Sequence, residues 1–228
     1  MLSVAGRQFI CRLGEDVERA AYVPASAPAG KYHMQDNAIA KDIDGLVDTT
    51  TQASGLSEIL APRLSVVFCG LNPALSAARD GHNFSNRSNR FWRVLHLAGF
   101  TPRLLRADEE REILRYGLGL TSAVSRPTKS ASELKHHDYI TAAPALENKI
   151  RELAPGNLAF LGKAAYAAIS LQKHVEWGKQ AEEFAGASIW VLPNPSGLNR
   201  AFDLTRLTEH YREMKLAVGP YSGPSGDD

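Results

Sequence analysis

The sequence predicts a single α/β domain of three layers, in which helices flank a central, mainly parallel sheet of four strands. From about Ser57 onward, short β-rich runs alternate with amphipathic helical patterns, which is typical of βαβ units. The chain has 228 residues, of which 44% are hydrophobic and 22% are charged, so it can bury one substantial core. Its apolar runs are short, and none has the length of a membrane-spanning helix.

Four short runs of mainly apolar residues are predicted to form the strands. The first, residues 65–69, is followed by Gly70-Leu71-Asn72-Pro73, a sequence that favours a turn. The other three are residues 118–123, 158–161 and 189–192. Strands buried on both faces are typically continuous apolar runs of about four to eight residues. These runs therefore favour a sheet that is covered by helices on both sides.

Five helices are predicted around the strands. The first follows Ser88 as its N-cap, carries apolar residues at i, i+3, i+4 and i+7 from Phe91, and stops at Gly99. The second starts at Asp108 and closes at Gly117. The remaining three are expected from Asp138 to about Leu153, over residues 163–171, and from Leu204 to Met214, with Pro144 kinking or delaying the first of these.

The two ends of the chain differ from this domain. Residues 24–30 form a linker-like run of Pro, Ala, Ser and Gly, and acidic and Thr-rich stretches follow as far as Thr51. We therefore predict a poorly ordered N-terminal extension over residues 1–55, a folded domain over residues 56–218 and a flexible tail over residues 219–228.

Charge and cysteine content limit the location and the chemistry of the protein. The net charge is +1, but residues 61–228 carry 21 Lys and Arg against 17 Asp and Glu, an excess of four positive charges. This excess allows a local basic surface for nucleic acid without requiring one. Two cysteines, Cys11 and Cys69, are too few for an iron-sulfur cluster or a four-cysteine zinc site. Together with the lack of a signal-peptide pattern, they favour a cytoplasmic protein.

Two Asn-Pro pairs follow predicted strands. Asn72-Pro73 comes after the first strand and Asn194-Pro195 after the fourth. A residue before proline is restricted to extended conformations, which fixes the direction of the Asn side chain. Ligands of open parallel sheets bind outside the carboxyl ends of the strands. A single Asn-Pro pair is more often a simple turn, but two of them at strand ends favour a binding site.

The segment of residues 81–92 combines an aromatic side chain with cations and amides. Phe84 lies in a predicted loop among His82, Arg87 and Arg90. Aromatic faces stack on nucleic-acid bases, and arginines bind phosphates. The alternative is that Phe84 belongs to the hydrophobic core and that the arginines form a solvated surface.

Six short segments occur in the sequence in this order: VVFCGLNP at 66–73, NRFW at 89–92, RPT at 126–128, LGK at 161–163, WGKQ at 177–180 and WVLPNPSGL at 190–198. In this order and spacing they resemble the mismatch-specific uracil-DNA glycosylases, which are relatives of the thymine-DNA glycosylases within the uracil-DNA glycosylase superfamily. The resemblance extends from about Glu58 to Val218.

The resemblance implies an enzyme of base excision repair that flips uracil out of G·U mismatches in double-stranded DNA. It would hydrolyse the N-glycosidic bond and leave an abasic site, without a cofactor or a metal ion. Exocyclic cytosine adducts such as ethenocytosine, and more weakly G·T pairs, are the other substrates implied. We expect a monomer that acts without a membrane.

The resemblance also assigns roles to individual residues. Asn72 matches the residue that holds the attacking water, and Phe84 matches the aromatic that stacks on the flipped base. Leu71, Ala77 and Asn194 are expected to line the base pocket. The residues expected to contact DNA are Leu198 as the wedge that fills the vacated stack, Gly197 and Asn199 at the unpaired guanine, Arg200 in support of the wedge, and Arg90.

Four positions depart from the pattern of these relatives. Ala74 replaces a glycine, Ala77 replaces a serine, Ser122 replaces the lysine of some relatives, and Asn199 replaces a serine. The first three border the expected pocket, so they bear on base selectivity and rate. Asn199 matters less if its contact with the guanine is made by the backbone.

The catalytic loop determines which mechanism is available. No carboxylate occurs between Gly70 and Ala78, and an amide is essentially non-basic, so Asn72 can orient water but cannot deprotonate it. Catalysis must then depend on stabilising the departing base as an anion, for which backbone amides are suited. Asp80 and His82 are interpreted as turn residues in a solvated loop rather than as a general base.

Other functions receive less support from the sequence. A non-catalytic module that binds DNA lesions with the same pocket remains an alternative, because the loop lacks a carboxylate and Ala77 replaces a serine. A small-molecule hydrolase is disfavoured by the apolar tip at Leu198 beside Arg200. His136-His137-Asp138 lacks a third ligand at metal spacing, and no phosphate-binding glycine loop follows a strand.

Overall fold

The computed structural model describes residues 56–221, and in this part of the chain the strands form one five-stranded sheet. The strands are β1 (Val66–Gly70), β2 (Leu118–Ser122), β3 (Asn157–Leu161), β4 (Gly178–Phe184) and β5 (Ala187–Leu192). Their order in the sheet is β2-β1-β3-β5-β4. All neighbouring pairs are parallel except β4 and β5, which form an antiparallel pair at one edge.

The prediction of four strands was therefore one strand short. The missing strand is β4, an edge strand in which the exposed and partly exposed residues between Gly178 and Phe184 include Lys179, Glu182 and Glu183. Such a strand has one face toward water and lacks the continuous apolar run on which the prediction relied. The α/β class and the mainly parallel sheet are confirmed.

Five α-helices accompany the sheet: α1 (Leu75–Asp80), α2 (Phe91–Leu97), α3 (His136–Leu153), α4 (Lys163–Ser170) and α5 (Leu204–Val218). Short 3₁₀ segments cover Ala107–Tyr116 and Ala131–Glu133. Helix α1 was not predicted, and the expected helix after Asp108 is a 3₁₀ segment. None of the helices within residues 56–221 is both long and apolar enough to cross a membrane.

Three predicted helix starts were displaced by two residues. Helix α2 has Arg90 rather than Ser88 as its N-cap. Helix α3 begins at His136 rather than at Asp138, which is its third residue and accepts the backbone N–H of Lys135 at 2.7 Å. The 3₁₀ segment has Arg106 rather than Asp108 as its N-cap, and Glu109 accepts the backbone N–H of Arg106 at 2.9 Å. Acidic residues of the first turn were thus taken for the starts of these two segments.

Pro144 lies inside α3, which continues through it to Leu153. The expected delay of the helix is therefore wrong, because α3 already begins at His136. The predicted N-terminal extension lies outside the described residues, as does the tail beyond Tyr221.

Both faces of the sheet are covered, which gives the predicted three layers. Val66 and Phe68 of β1 point to the side where α2 and α5 pack, whereas Val67 and Cys69 point to the side of α3 and α4. All four side chains are fully buried. The helices that follow β1 and β3 lie on opposite faces, so a crevice opens between the carboxyl ends of these two adjacent strands.

Candidate active site

A cavity of about 370 Å³ lies at this crevice. The predicted catalytic residue and all four predicted base-binding residues line it: Asn72, Leu71, Phe84, Ala77 and Asn194. Leu198 and Asn199 also line it, whereas Gly197, Arg200 and Arg90 do not. The structure therefore brings the two Asn-Pro loops and the aromatic loop together around one cavity.

Asn72 lies in the loop after β1, and the nitrogen of its side-chain amide is fully bound. Nδ2 donates to the carbonyl oxygen of Arg126 and to Oγ1 of Thr128, each at 2.8 Å. A carbonyl oxygen can only accept, so these contacts determine which end of the amide is nitrogen. No group within residues 56–221 donates to Oδ1. This oxygen is available to accept a hydrogen bond from a water molecule in the cavity.

Thr128 holds Asn72 in this orientation. Its side chain is buried, and its hydroxyl donates to the carbonyl oxygen of Ser130 at 2.9 Å, so it accepts the hydrogen bond from Asn72. The backbone N–H of Thr128 also donates to the carbonyl oxygen of Pro73 at 3.1 Å, and its carbonyl oxygen accepts the N–H of Leu75 at 3.0 Å, so Thr128 pairs with the chain immediately after Asn72. Sequence reasoning gave Thr128 no role, although the RPT segment is one of the six on which the resemblance rests.

Phe84 forms a stacking surface at the edge of the core. Its ring stacks on Phe91 of α2, with the ring centroids 4.0 Å apart and the planes at 24°. The side chain is half-buried and also lines the cavity. The core and base-stacking interpretations are therefore compatible, because one part of the ring packs on Phe91 and another borders the cavity.

The loop after β5 carries Leu198 outward. Its side chain is 80% exposed, so Leu198 does not belong to the core and is accessible to a DNA duplex. Gly197 beside it lies against Ser88, where an added Cβ would come within 2.5 Å of the Ser88 side chain. A larger residue at position 197 would separate the two loops. Arg200 is exposed and makes no hydrogen bond or ion pair within the described part of the chain.

Arg90 holds this loop in place. Its guanidinium donates from Nε to the carbonyl oxygen of Pro195 at 3.2 Å, from Nη1 to that of Phe202, and from Nη2 to those of Ser196 and Asn199 at 2.7 and 2.9 Å. An arginine has five N–H groups, and four of them are occupied by these contacts. Arg90 thus positions the Leu198 loop, while its direct contact with DNA stays a prediction.

Asn194 shapes the wall of the cavity through hydrogen bonds of its own. Its Nδ2 donates to the carbonyl oxygen of Leu161 at 3.2 Å, and its Oδ1 accepts the backbone N–H of Ser196 at 2.8 Å. Its backbone oxygen accepts Nδ2 of Asn199 at 2.8 Å. Both asparagines therefore stabilise the loop, and a direct contact of Asn194 with a base stays a prediction.

Comparison with known families identifies this arrangement. The family model described as "Uracil DNA glycosylase superfamily" matches residues 58–215, a range that includes most residues of the cavity wall, the Asn72-Pro73 loop and the Leu198 loop. The chain belongs to the uracil DNA glycosylase superfamily. Membership implies a hydrolase that acts on N-glycosyl bonds of uracil in DNA.

A solved structure shares the fold of this superfamily member. It is the solution NMR structure of a "putative Uracil DNA glycosylase" from Methanosarcina acetivorans, which is 20% identical and has a TM-score of 0.50. The match covers 70% of this chain and 96% of that chain. At this identity the likeness concerns the fold alone.

The departures from the related sequences can now be placed in the superfamily site. Ala74 has φ −73° and ψ 144°, an extended conformation that does not require the glycine of its relatives. Ala77 is buried in α1 and Ser122 is partly buried at the end of β2, and both contribute to the cavity wall. Asn199 adds a side-chain hydrogen bond to the backbone of Asn194.

Sequence reasoning missed one carboxylate of this uracil DNA glycosylase superfamily site. Glu58 lines the cavity from the segment before β1, outside the stretch from Gly70 to Ala78. Its Oε1 accepts the hydroxyl of Thr121, and Lys149 of α3 donates to the same oxygen at 2.5 Å. Lys149 is 91 residues away in sequence, so no local signal indicates this pair.

The thiol of Cys69 is not available as a nucleophile. Cys69 of β1 is fully buried, and burial raises the pKa of its thiol, with a smaller effect of Lys149 in the opposite direction. A thiol is nucleophilic only as the thiolate. Cys69 therefore stays protonated at neutral pH and serves as a core residue.

Proposed function

We propose that this protein is a monofunctional uracil-DNA glycosylase of the mismatch-specific type, which excises uracil from G·U pairs in duplex DNA by attack of a water molecule held by Asn72. The observation that carries the proposal is the orientation of the Asn72 amide. Its nitrogen is bound by Arg126 and Thr128, no donor among residues 56–221 binds its oxygen, and Asn72 lines the same cavity as Phe84.

The chemistry follows from what an amide oxygen can do. Asn72 Oδ1 accepts a hydrogen bond from the water, which aligns the water oxygen with C1′ of the flipped deoxyuridine. The C1′–N1 bond breaks, the new C1′–O bond forms, and the base leaves with the electron pair as an anion. The proton of the water passes to solvent, because an amide does not take it. Such a mechanism favours bases that are good leaving groups and gives modest turnover.

The preference for G·U pairs has a physical basis in the cost of flipping. A base must leave the stack before it reaches the cavity, and this step costs least for a mismatched base, because its pairing is weaker. The exposed Leu198 side chain can fill the vacated space, which offsets part of the remaining cost. Ala77 and Ser122 are small residues in the wall, which suits larger bases such as ethenocytosine.

The decisive experiment uses an end-labelled duplex with a single G·U pair. Incubation with the protein followed by hot alkali cuts the strand only where the base has been removed. We expect cutting at the uracil, less cutting with G·T, and none before alkali treatment, since a monofunctional enzyme leaves the backbone intact. Binding of the duplex without alkali-labile product would instead indicate the alternative, a lesion-binding module.

A further inference from the structure

The loop that leads into Phe84 is fixed at the residue immediately before it. The backbone N–H of Asn83 donates to Oε2 of Glu110 at 2.6 Å, and its carbonyl oxygen accepts Nε1 of Trp92 at 3.2 Å. The Asn83 side chain donates to the carbonyl oxygen of Ser57 at 3.0 Å. Both backbone polar groups of Asn83 are thus held by side chains outside its loop, one from α2 and one from the 3₁₀ segment that contains Glu110.

Glu110 differs from the acidic residues around it. Asp108, Glu109 and Glu112 pair with arginines at the surface. Glu110 is only 6% exposed, and within residues 56–221 no Lys or Arg pairs with it. Its Oε2 binds the N–H of Asn83, and its Oε1 lies 3.4 Å from Nδ1 of His82.

A buried carboxylate is unfavourable unless hydrogen bonds compensate for the lost hydration. Both contacts of Glu110 are with the loop before Phe84, on the residues at positions 82 and 83. A surface glutamate on the same segment could not make them. The placement of Glu110 in the interior is therefore explained by the loop it holds.

Phe84 itself needs such support. Its φ of +55° lies in the left-handed region, which is unfavourable for a residue with a Cβ atom unless its surroundings enforce it. The stacking on Phe91 restrains the ring. The hydrogen bond from Trp92 to the Asn83 carbonyl restrains the peptide between residues 83 and 84, and the hydrogen bond from the Asn83 N–H to Glu110 restrains the peptide before that one. If these peptides rotate, the Phe84 ring moves relative to the cavity.

We infer that Glu110 is a positioning residue of the active site: its buried carboxylate fixes the peptide between His82 and Asn83 and so, together with the Trp92 contact at the next peptide, holds Phe84 against Phe91 in the position where it stacks on the flipped base. The inference rests on the proposed function, because it takes Phe84 as the base-stacking residue. Glu110 acts through Phe84 and touches neither DNA nor water in the reaction.

The test compares two variants of nearly equal size. Glu110→Met removes both acceptor oxygens, whereas Glu110→Gln keeps one oxygen for the N–H of Asn83. Glu112→Met is the matched control, since Glu112 lies on the same segment but pairs with Arg103 at the surface. Single-turnover excision is measured on a G·U duplex and on single-stranded uracil DNA, with melting curves for each variant.

Base–aromatic stacking of about 1–3 kcal/mol corresponds to about a 5- to 150-fold effect. We expect Glu110→Met to lose about 10-fold or more in rate on both substrates. Glu110→Gln should recover to within about threefold of wild type, and Glu112→Met should match wild type, since neither change removes the acceptor for Asn83. In a Phe84→Ala background, Glu110→Met should cost less than about twofold, because the two residues act as one unit.

A structural role alone would give a different pattern. If the rate loss of the double variant Glu110→Met/Phe84→Ala equals the product of the two single-variant losses, the inference is overturned. A Glu110→Met enzyme that excises uracil at the wild-type rate would also overturn it. Hydrogen exchange of the peptide that covers residues 82–92 tests the positioning without activity. We expect faster exchange there in Glu110→Met than in Glu112→Met, and equal exchange would overturn the inference. A wild-type protein that removes no uracil would refute the proposed function, and the exchange result would still decide the role of Glu110.

Discussion

Replacing Thr128 with valine should slow base excision without weakening DNA binding. The change preserves the shape of the side chain but removes Oγ1, which accepts from Asn72 Nδ2 at 2.8 Å and donates to Ser130 at 2.9 Å. Only the contact with Arg126 then orients the amide. A net loss of about 0.5–1.5 kcal/mol is typical of one hydrogen bond. If this energy is lost from the transition state, the rate falls about 2- to 12-fold.

Single-turnover excision from a G·U duplex measures this step, and equilibrium binding to a duplex with an abasic site measures DNA affinity. Thr128→Ser keeps the hydroxyl and should stay near wild type. Thr208→Val is the matched control, because Thr208 is also buried but its hydroxyl donates only to Leu204 within α5. A Thr128→Val enzyme that is no slower than Thr208→Val would refute the view that Thr128 orients the catalytic amide.

Three further changes test the DNA-binding loop and the limits of the domain. Leu198→Ala should leave the melting temperature unchanged, because the side chain is 80% exposed. It should reduce excision more from A·U pairs than from G·U pairs or single strands, and equal losses on all three substrates would contradict a role of Leu198 as a wedge. Gly197→Ala should weaken binding to an abasic duplex by about 10-fold, because its Cβ would lie 2.5 Å from Ser88 and displace the loop; an unchanged dissociation constant would contradict the close packing. Removal of residues 1–55 should leave excision from short duplexes within about twofold, since the superfamily match begins at residue 58, whereas a large drop in rate or melting temperature would show that the extension contributes.

The parallel strands could be predicted because they are buried on both faces. The four residues from Val66 to Cys69 are all fully buried. In a sequence that alternates strands and helices, such a continuous apolar run indicates a strand covered on both faces. Strand β4 could not be recognised in this way, since most of its exposed and partly exposed residues are polar and it is held in the sheet by its pairing with β5. The start of α3 was misjudged for a local reason: Asp138 lies at the third position of the helix, from which its carboxylate accepts the backbone N–H of Lys135.

In the candidate site, too, local features could be predicted from the sequence and long-range contacts could not. Asn72 and Phe84 could be singled out from sequence because each lies in a recognisable local feature, an asparagine before proline and an aromatic residue in a predicted loop, and the family resemblance implied their roles. The contacts that orient them come from distant segments: Thr128 lies 56 residues beyond Asn72, and Glu110 lies 27 residues beyond Asn83. Their partners depend on tertiary packing, which hydrophobic periodicity does not describe. Arg90 was expected at the DNA, but its donors are directed at four backbone carbonyl groups.

Asn72 is proposed to hold the attacking water with its amide oxygen. The single-turnover rate of uracil release from a G·U duplex by wild type and Asn72→Ala tests this role, together with the affinities of both proteins for an abasic duplex. We expect release by wild type, a loss of at least about 100-fold in Asn72→Ala and unchanged affinity, because water positioning acts mainly in the transition state. Release by Asn72→Ala at the wild-type rate would refute the role of Asn72.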